Sequence, residues 1–188
     1  YFFTRKLMFL RESHATILCP GGFGTHDEGF ETLTLVQTGK TEPRPIVCLD
    51  APGDTYWGDF RKFLEKQLAK KGMIHPGDID LMYFTQDADK AVEHIVNFYR
   101  MYHSMRYIRD LLVLRIEKPL TDAQIELLNQ RFSHIVKKGK ISQSLKPFEE
   151  EKNVPHTFHL TRLAFYFKKD CSTHLRQMID AINSFAGN

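Results

Sequence analysis

The sequence predicts an α/β protein: a Rossmann-like parallel sheet with helices on both faces, then a small α+β module. Three observations carry this. Over the first hundred residues, short apolar runs at 15–19, 46–49 and 81–85 alternate with helical stretches, the pattern of βα units. A glycine-rich turn joins the first of these runs to the next helix. Beyond about residue 102 the order changes to one of hairpins and two helices. A chain of 188 residues can hold one ordinary domain and a small second one. The predicted domains are 1–102 and 103–188.

In chain order, residues 4–12 read as a helix carrying Leu7, Met8 and Leu10, and Ala15-Thr16-Ile17-Leu18-Cys19 as a buried strand. The turn Pro20-Gly21-Gly22-Phe23-Gly24-Thr25 follows, and then a helix over 25–38 with Phe30, Leu33 and Val36, closed by Gly39. Residues 46–49 form the next buried strand. Residues 59–71 form an amphipathic helix on Phe60, Phe63, Leu64 and Leu68, stopped by Gly72. A strand over 81–85 leads to Asp87, which caps a helix running to about residue 102. In the second half, strands at 111–117, 141–147 and 163–168 and helices at 121–136 and 172–185 give a βαββα order. That order resembles an incomplete ferredoxin-like sheet. Glu149-Glu150-Glu151-Lys152 reads as a solvated loop.

Strand, glycine turn and helix N-terminus together make an anion site. Glycines let the backbone approach a phosphate, and first-turn N–H groups point at it. The loop is neither a Walker A motif nor the G-x-G-x-x-G dinucleotide fingerprint. Two readings of Glu28 stand side by side. Thr25-His26-Asp27-Glu28 fits a capping box with Thr25 as N-cap. Alternatively, a carboxylate beside a phosphate site serves chemistry on whatever the phosphate anchors. Three glycines in four residues favour the second reading, because a helix start needs none of them. In parallel sheets ligands sit beyond the carboxyl ends of the strands. Asp54 and Tyr56 of the loop after the second strand are candidates for contact with sugar or base, and turn chemistry explains Pro52-Gly53-Asp54 as well.

Pro20-Gly21-Gly22-Phe23-Gly24-Thr25-His26-Asp27-Glu28 resembles the PGGxGTxxE motif of the LOG family, the cytokinin riboside 5′-monophosphate phosphoribohydrolases, often mislabelled lysine decarboxylases. Arg5-Lys6-Leu7-Met8 is similar to the family's Arg-Lys-x-x-Met helix, and Leu33-Thr34-Leu35-Val36-Gln37-Thr38-Gly39 to its Leu-Thr-x-x-Gln-x-Gly continuation. The resemblance covers about residues 4–98. It implies hydrolysis of the N-glycosidic bond of a nucleoside 5′-monophosphate, with a non-catalytic nucleotide-binding module as the alternative. It also implies Arg5 and Glu28 as the catalytic pair, and Lys6, Pro20, Gly21, Gly22, Phe23, Gly24 and Thr25 as substrate-binding residues. Neither metal nor organic cofactor is implied, and a homodimer or higher homo-oligomer is. His26 stands where the family often has an apolar residue and reads as loop variation.

Composition sets further expectations. No apolar run reaches the roughly 18 residues of a membrane span. Cys19, Cys48 and Cys171 form no C-x-x-C pair; Cys19 and Cys48 read as small hydrophobes at strand ends, and a reducing cytoplasm is the expected setting. The first 102 residues carry 12 Lys/Arg against 14 Asp/Glu, and the rest 14 against 9. That mild basicity defines no nucleic-acid groove. The chain starts without Met and without the order of a signal peptide. It therefore reads as a fragment lacking the first strands of its fold.

Overall fold

The computed structural model describes residues 2–187, apart from the side chains of Phe2, Phe3, Arg5 and Leu7. The chain divides into two compact units, one up to Val96 and one from Asn97 on. Sequence reasoning put the boundary after Tyr102. The division falls earlier because Phe98, Met101 and Tyr102 are core residues of the second unit.

The first unit holds three parallel strands in the order β1-β2-β3: β1 (Thr16–Leu18), β2 (Ile46–Leu49) and β3 (Met82–Thr85). Thr16 lies opposite Ile46, and Ile46 opposite Met82. Side chains alternate across a strand, and both faces are covered except at Ile17 of the edge strand β1, which is exposed. Leu18, Ile46, Cys48 and Met82 pack with Val36 of α2 (Phe23–Gln37) and Trp57 of α3 (Tyr56–Phe63). On the other face Val47 is buried, and Tyr83 stacks on His94 of α4 (Ala88–Phe98) at 4.2 Å between ring centroids. Helix α2 seats on β1 at Gly29, where a Cβ would stand 3.0 Å from Leu18 Cδ1. Ahead of β1, the end of α1 (Phe2–Glu12) is held by Arg44, whose Nη1 donates to the carbonyls of Leu10 (2.6 Å) and Ser13 (3.0 Å).

Three expectations for this unit are corrected. The helix expected at 59–71 begins at Tyr56 and passes into a π-helical turn at Leu64–Ala69. The wider turn departs from the 3.6-residue period, and Phe63 is exposed while Leu64 is buried. Cys48 is the buried small hydrophobe expected, with burial first and the Asp50 charge second pushing its thiol up to about 12. Cys19, just past the last residue of β1, is exposed instead. The helix after β3 ends at Phe98, and Tyr102 begins a strand. Among the described residues, no helix is long and apolar enough to cross a membrane.

The second unit is an antiparallel sheet of order β4-β5-β7-β6 with two helices. Its elements are β4 (Tyr102–Ile108), β5 (Leu111–Ile116), α5 (Asp122–Phe132), β6 (Val136–Ser144), β7 (Thr161–Phe167) and α6 (Ser172–Ser184). Helix α5 starts at the capping box of Thr121 and Gln124: Thr121 Oγ1 accepts from the Gln124 N–H and Gln124 Oε1 from the Thr121 N–H. The expected βαββα order omitted β4. With it, the sheet has the four strands of a ferredoxin-like arrangement, but the edge strand beside β5 comes before β5 in the chain rather than at the end. The sheet buries Leu112, Leu114 and Phe165 against Leu128 of α5 and Met178 and Ile179 of α6.

Glu151 is not the solvated residue expected. It is fully buried between two buried arginines. Arg115 donates to Oε1 at 2.8 Å, and Arg162 Nε and the Phe148 N–H donate to Oε2 at 3.1 and 2.9 Å. Burial on its own raises this carboxyl; the Phe148 N–H and the two guanidiniums outweigh it and hold the group below the usual carboxylate range. Truncating one member of such a cluster leaves buried charge uncompensated. Glu151→Ala is therefore expected to destabilise the full chain by about 3–5 kcal/mol in denaturant unfolding. Because the folded value is depressed, the wild-type contribution is complete above the ordinary Glu value of about 4.3 and is lost as pH falls through the lower folded value. The gap between variant and wild type should accordingly close only in that acid range.

Candidate functional site

The residues singled out in the sequence gather where β1 runs into α2. The helix begins two residues earlier than expected. Its N-cap is Gly22, with no side-chain cap, and Gly22 O accepts from the N–H groups of Thr25 (3.1 Å) and His26 (3.3 Å). Thr25 is thus a first-turn residue, and Glu28 lies six residues past the cap. The capping-box reading of Thr25 and Glu28 is overturned. A glycine start has no hydroxyl or carboxylate to announce it, which is why Thr25 looked like the cap.

The three loop glycines are there for different reasons. At Gly21 a Cβ would come within 2.2 Å of Thr25 Oγ1 and 3.1 Å of Thr25 Cβ, so any other residue would force the Thr25 side chain to turn away. At Gly22 and Gly24 a Cβ would meet nothing within 4 Å, and neither has a positive φ. Neither packing nor a positive φ accounts for them, and both positions leave the main chain open to approach. The amides of Phe23 and Gly24, the first two of the helix, have no intrahelical acceptor. Phe23 is 96% exposed, so its ring does not cover them from the core side.

Beside the loop lies a compact charge cluster. Lys6 of α1 is 8% exposed. Its Nζ hydrogen-bonds Asp27 and sits 3.8 Å from Glu28 Oε1 and 3.3 Å from Glu31 Oε2. Positions 27, 28 and 31 fall on one side of α2. The hydrogen bond to Asp27 chiefly raises the Lys6 pKa; burial opposes it, and Glu31 and the Asp27 and Glu28 charges add to it. Among the described residues the cluster brings one cation, Lys6, to three carboxylates. The Glu28 side chain is 40% exposed and so is open to a ligand. The Arg5 side chain falls outside the described residues; its backbone lies in α1 next to Lys6.

A second group, read as loop variation in the sequence, closes the other side of the loop. His26 packs among Tyr56, Trp57 and Phe60, with ring centroids 5.1 to 5.8 Å away. Its Nε2 lies 2.7 Å from Tyr56 Oη, and that hydroxyl donates to the carbonyl of Gly21. Only the unusual His at this position hinted at such a role. Asp54 has the turn function weighed for it: Oδ1 accepts from the N–H groups of Thr55 and Tyr56 at 2.7 and 3.2 Å. Gln37 is paired with Asp78, at the rim of a half-open apolar cavity of about 120 Å³ lined by Phe30, Leu33, Leu64 and Leu68. Among the described residues, no three His, Cys, Asp or Glu side chains converge on a metal-holding arrangement.

The family model described as possible lysine decarboxylase matches residues 1–95, half of the chain. The chain belongs to this LOG-like family. The family region contains the whole loop, the acidic cluster and the His26 group. Among curated relatives, the cytokinin riboside 5′-monophosphate phosphoribohydrolase LOG3 of Arabidopsis thaliana is 28% identical over 94 residues, which is 50% of this chain and 42% of that protein. The chain therefore spans less than half the length of that relative.

The LOG-like cluster makes a direct prediction. Lys6→Met leaves three carboxylates on one side of α2 without their cation. The unfolding midpoint should fall, and a second change, Glu31→Gln, should restore part of the loss. Because the folded Lys6 pKa is raised, its contribution is complete below the ordinary lysine value of about 10.4 and disappears only as pH rises through the higher folded value. Thermal melts across that range check both statements.

Proposed function

We propose that the first unit belongs to an enzyme hydrolysing the N-glycosidic bond of a nucleoside 5′-monophosphate, AMP or a cytokinin riboside monophosphate, to free base and ribose 5-phosphate. One observation carries the reading: α2 starts on an uncapped glycine, with two glycines that neither packing nor φ explains, immediately before an acidic cluster. Family membership and the phosphoribohydrolase relative point to the same class of reaction.

In this mechanism the substrate phosphate docks on Pro20, Gly21, Gly22, Phe23, Gly24 and Thr25. The first-turn amides and the helix dipole stabilise its charge. Anchoring the phosphate fixes the ribose, so binding energy from a group that does not react positions C1′. As the bond to the base stretches, C1′ acquires oxocarbenium character, as in glycoside hydrolysis. Glu28 faces this cation and orients the water that adds to C1′. Arg5 donates to the departing base or to phosphate. Water supplies the hydroxyl at C1′, and its other proton ends on the released base. Lys6 has its ammonium among carboxylates, so its part in substrate binding is exerted through Asp27, Glu28 and Glu31.

A pyridoxal-dependent decarboxylation, as the family description suggests, needs an unprotonated lysine to form the Schiff base. Lys6 does not offer such a group, since its ammonium is engaged by Asp27, Glu28 and Glu31.

Glu28→Gln separates catalysis from structure. Turnover is expected to fall on the order of 10²–10³-fold, while affinity for nucleotide changes little, because size is kept and a charge facing the transition state is lost. The assay is release of free base from a panel of nucleoside monophosphates. Near-wild-type release by the variant would remove Glu28 from the chemistry. Nucleotide binding without any base release by the wild type would favour a nucleotide-binding module instead.

A further inference from the structure

We propose that Tyr56 and His26 are positioning residues for the phosphate loop, acting through the orientation of one peptide group. The inference rests on the phosphate-docking part of the function proposed above. Tyr56 has one hydroxyl proton, and that proton goes to the Gly21 carbonyl. Its oxygen must then accept from His26 Nε2, 2.7 Å away, which places the imidazole proton on Nε2. The result is a directed chain from His26 N–H to the Tyr56 hydroxyl to the Gly21 carbonyl.

The Gly21–Gly22 peptide is trans, like every peptide bond described. In a trans peptide C=O and N–H point in opposite directions. Pinning the Gly21 carbonyl towards Tyr56 therefore turns the Gly22 N–H away from Tyr56; on this proposal that is the side on which the phosphate docks. Glycine at both 21 and 22 makes this necessary. A peptide between two glycines is easily rotated, and an unpinned one would spend part of its time with its carbonyl facing the incoming anion. Repulsion would then replace a hydrogen bond.

The strut that does the pinning is itself braced. The Tyr56 N–H is bound by Asp54 Oδ1 at 3.2 Å, and the next N–H, of Trp57, is bound by both carboxylate oxygens of buried Asp50 at 3.1 Å. Gln86 ties the same loop from the other side, accepting from the Gly53 N–H at 3.1 Å and donating to Asp54 O at 2.7 Å. The Tyr56 ring meets Trp57 edge to face at 4.9 Å, and His26 is held among the rings already described. Tyr56 thus contributes through the loop rather than by touching the sugar or base.

Titration calorimetry on the full chain with two probes, ribose 5-phosphate and inorganic phosphate, tests this. In Tyr56→Phe the ring stays and the hydroxyl goes. Both dissociation constants are expected to rise together by about three- to tenfold, the worth of one oriented hydrogen bond. KM should rise by the same factor, with kcat within about twofold. Adding His26→Leu to Tyr56→Phe should weaken phosphate no further, since His26 acts through the hydroxyl. Unchanged affinity for both probes in Tyr56→Phe would overturn the proposal. So would a loss confined to ribose 5-phosphate, which would mean direct contact with sugar, and so would failure of the wild type to bind either probe. Absence of base release, with the calorimetry as expected, would refute hydrolysis while leaving the positioning role intact.

Discussion

Everything proposed for the first unit depends on how α2 begins. Most helices satisfy an early amide with a side chain of Ser, Thr, Asp or Asn. Here the cap is Gly22, and no side chain caps the helix. The first-turn amides stay available at the carboxyl end of a parallel strand, where α/β sheets place their ligands. Gly21 can approach Thr25 only because it lacks a Cβ, while Gly22 and Gly24 leave open space. The helix forgoes a side-chain cap worth about 1 kcal/mol, and in the proposed function its open amides take an anion. Its stability comes from elsewhere, from packing of Gly29 on Leu18 and from burial of Val36.

The two sides of this helix start do different work. On one side Lys6 gathers Asp27, Glu28 and Glu31, so that carboxylates stand next to the proposed anion site. That juxtaposition would be unfavourable for phosphate alone. It becomes intelligible if the ligand carries a phosphate at one end and develops positive charge at another, as a nucleotide does when its glycosidic bond breaks. Lys6 moderates the carboxylate charge without cancelling it. On the other side the aromatic rings around His26 and the Tyr56 hydroxyl set the loop backbone. In the proposed function, charge and orientation are thus supplied from opposite sides of one turn.

Much of this was legible in the sequence because βα units write a strong pattern. Apolar strands of three or four residues, a glycine loop and an amphipathic helix put β1, β2, β3 and α2 within a few residues of their places. What escaped did so for identifiable reasons. Thr25 has the chemistry of a cap, so the true start at Gly22 was hidden. His26 has no partner in sequence; its companions lie some 30 residues on, in α3. Tyr102–Ile108 mixes His, Ser and Arg with apolar residues and so reads as the boundary between the two domains, although it forms the edge strand β4. In β6 the register shifts between Val136 and Ser142, and Gly139 has φ 72°. The strand expected at 141–147 therefore begins earlier, at Val136, through exposed lysines that break the apolar alternation. Glu151 sits in a run of three glutamates, and only the fold brings Arg115 and Arg162 to it.

The central claim is that the start of α2 is an anion site shaped by backbone. Amide chemical shifts of the full chain, followed while ribose 5-phosphate is added, test it most directly. The account predicts that the largest, saturable shifts fall on the amides of Gly22, Phe23, Gly24 and Thr25, with a smaller response at Tyr56 across the Gly21 peptide. Saturable shifts centred elsewhere, or none at the loop at concentrations well above those of cellular nucleotides, would contradict it.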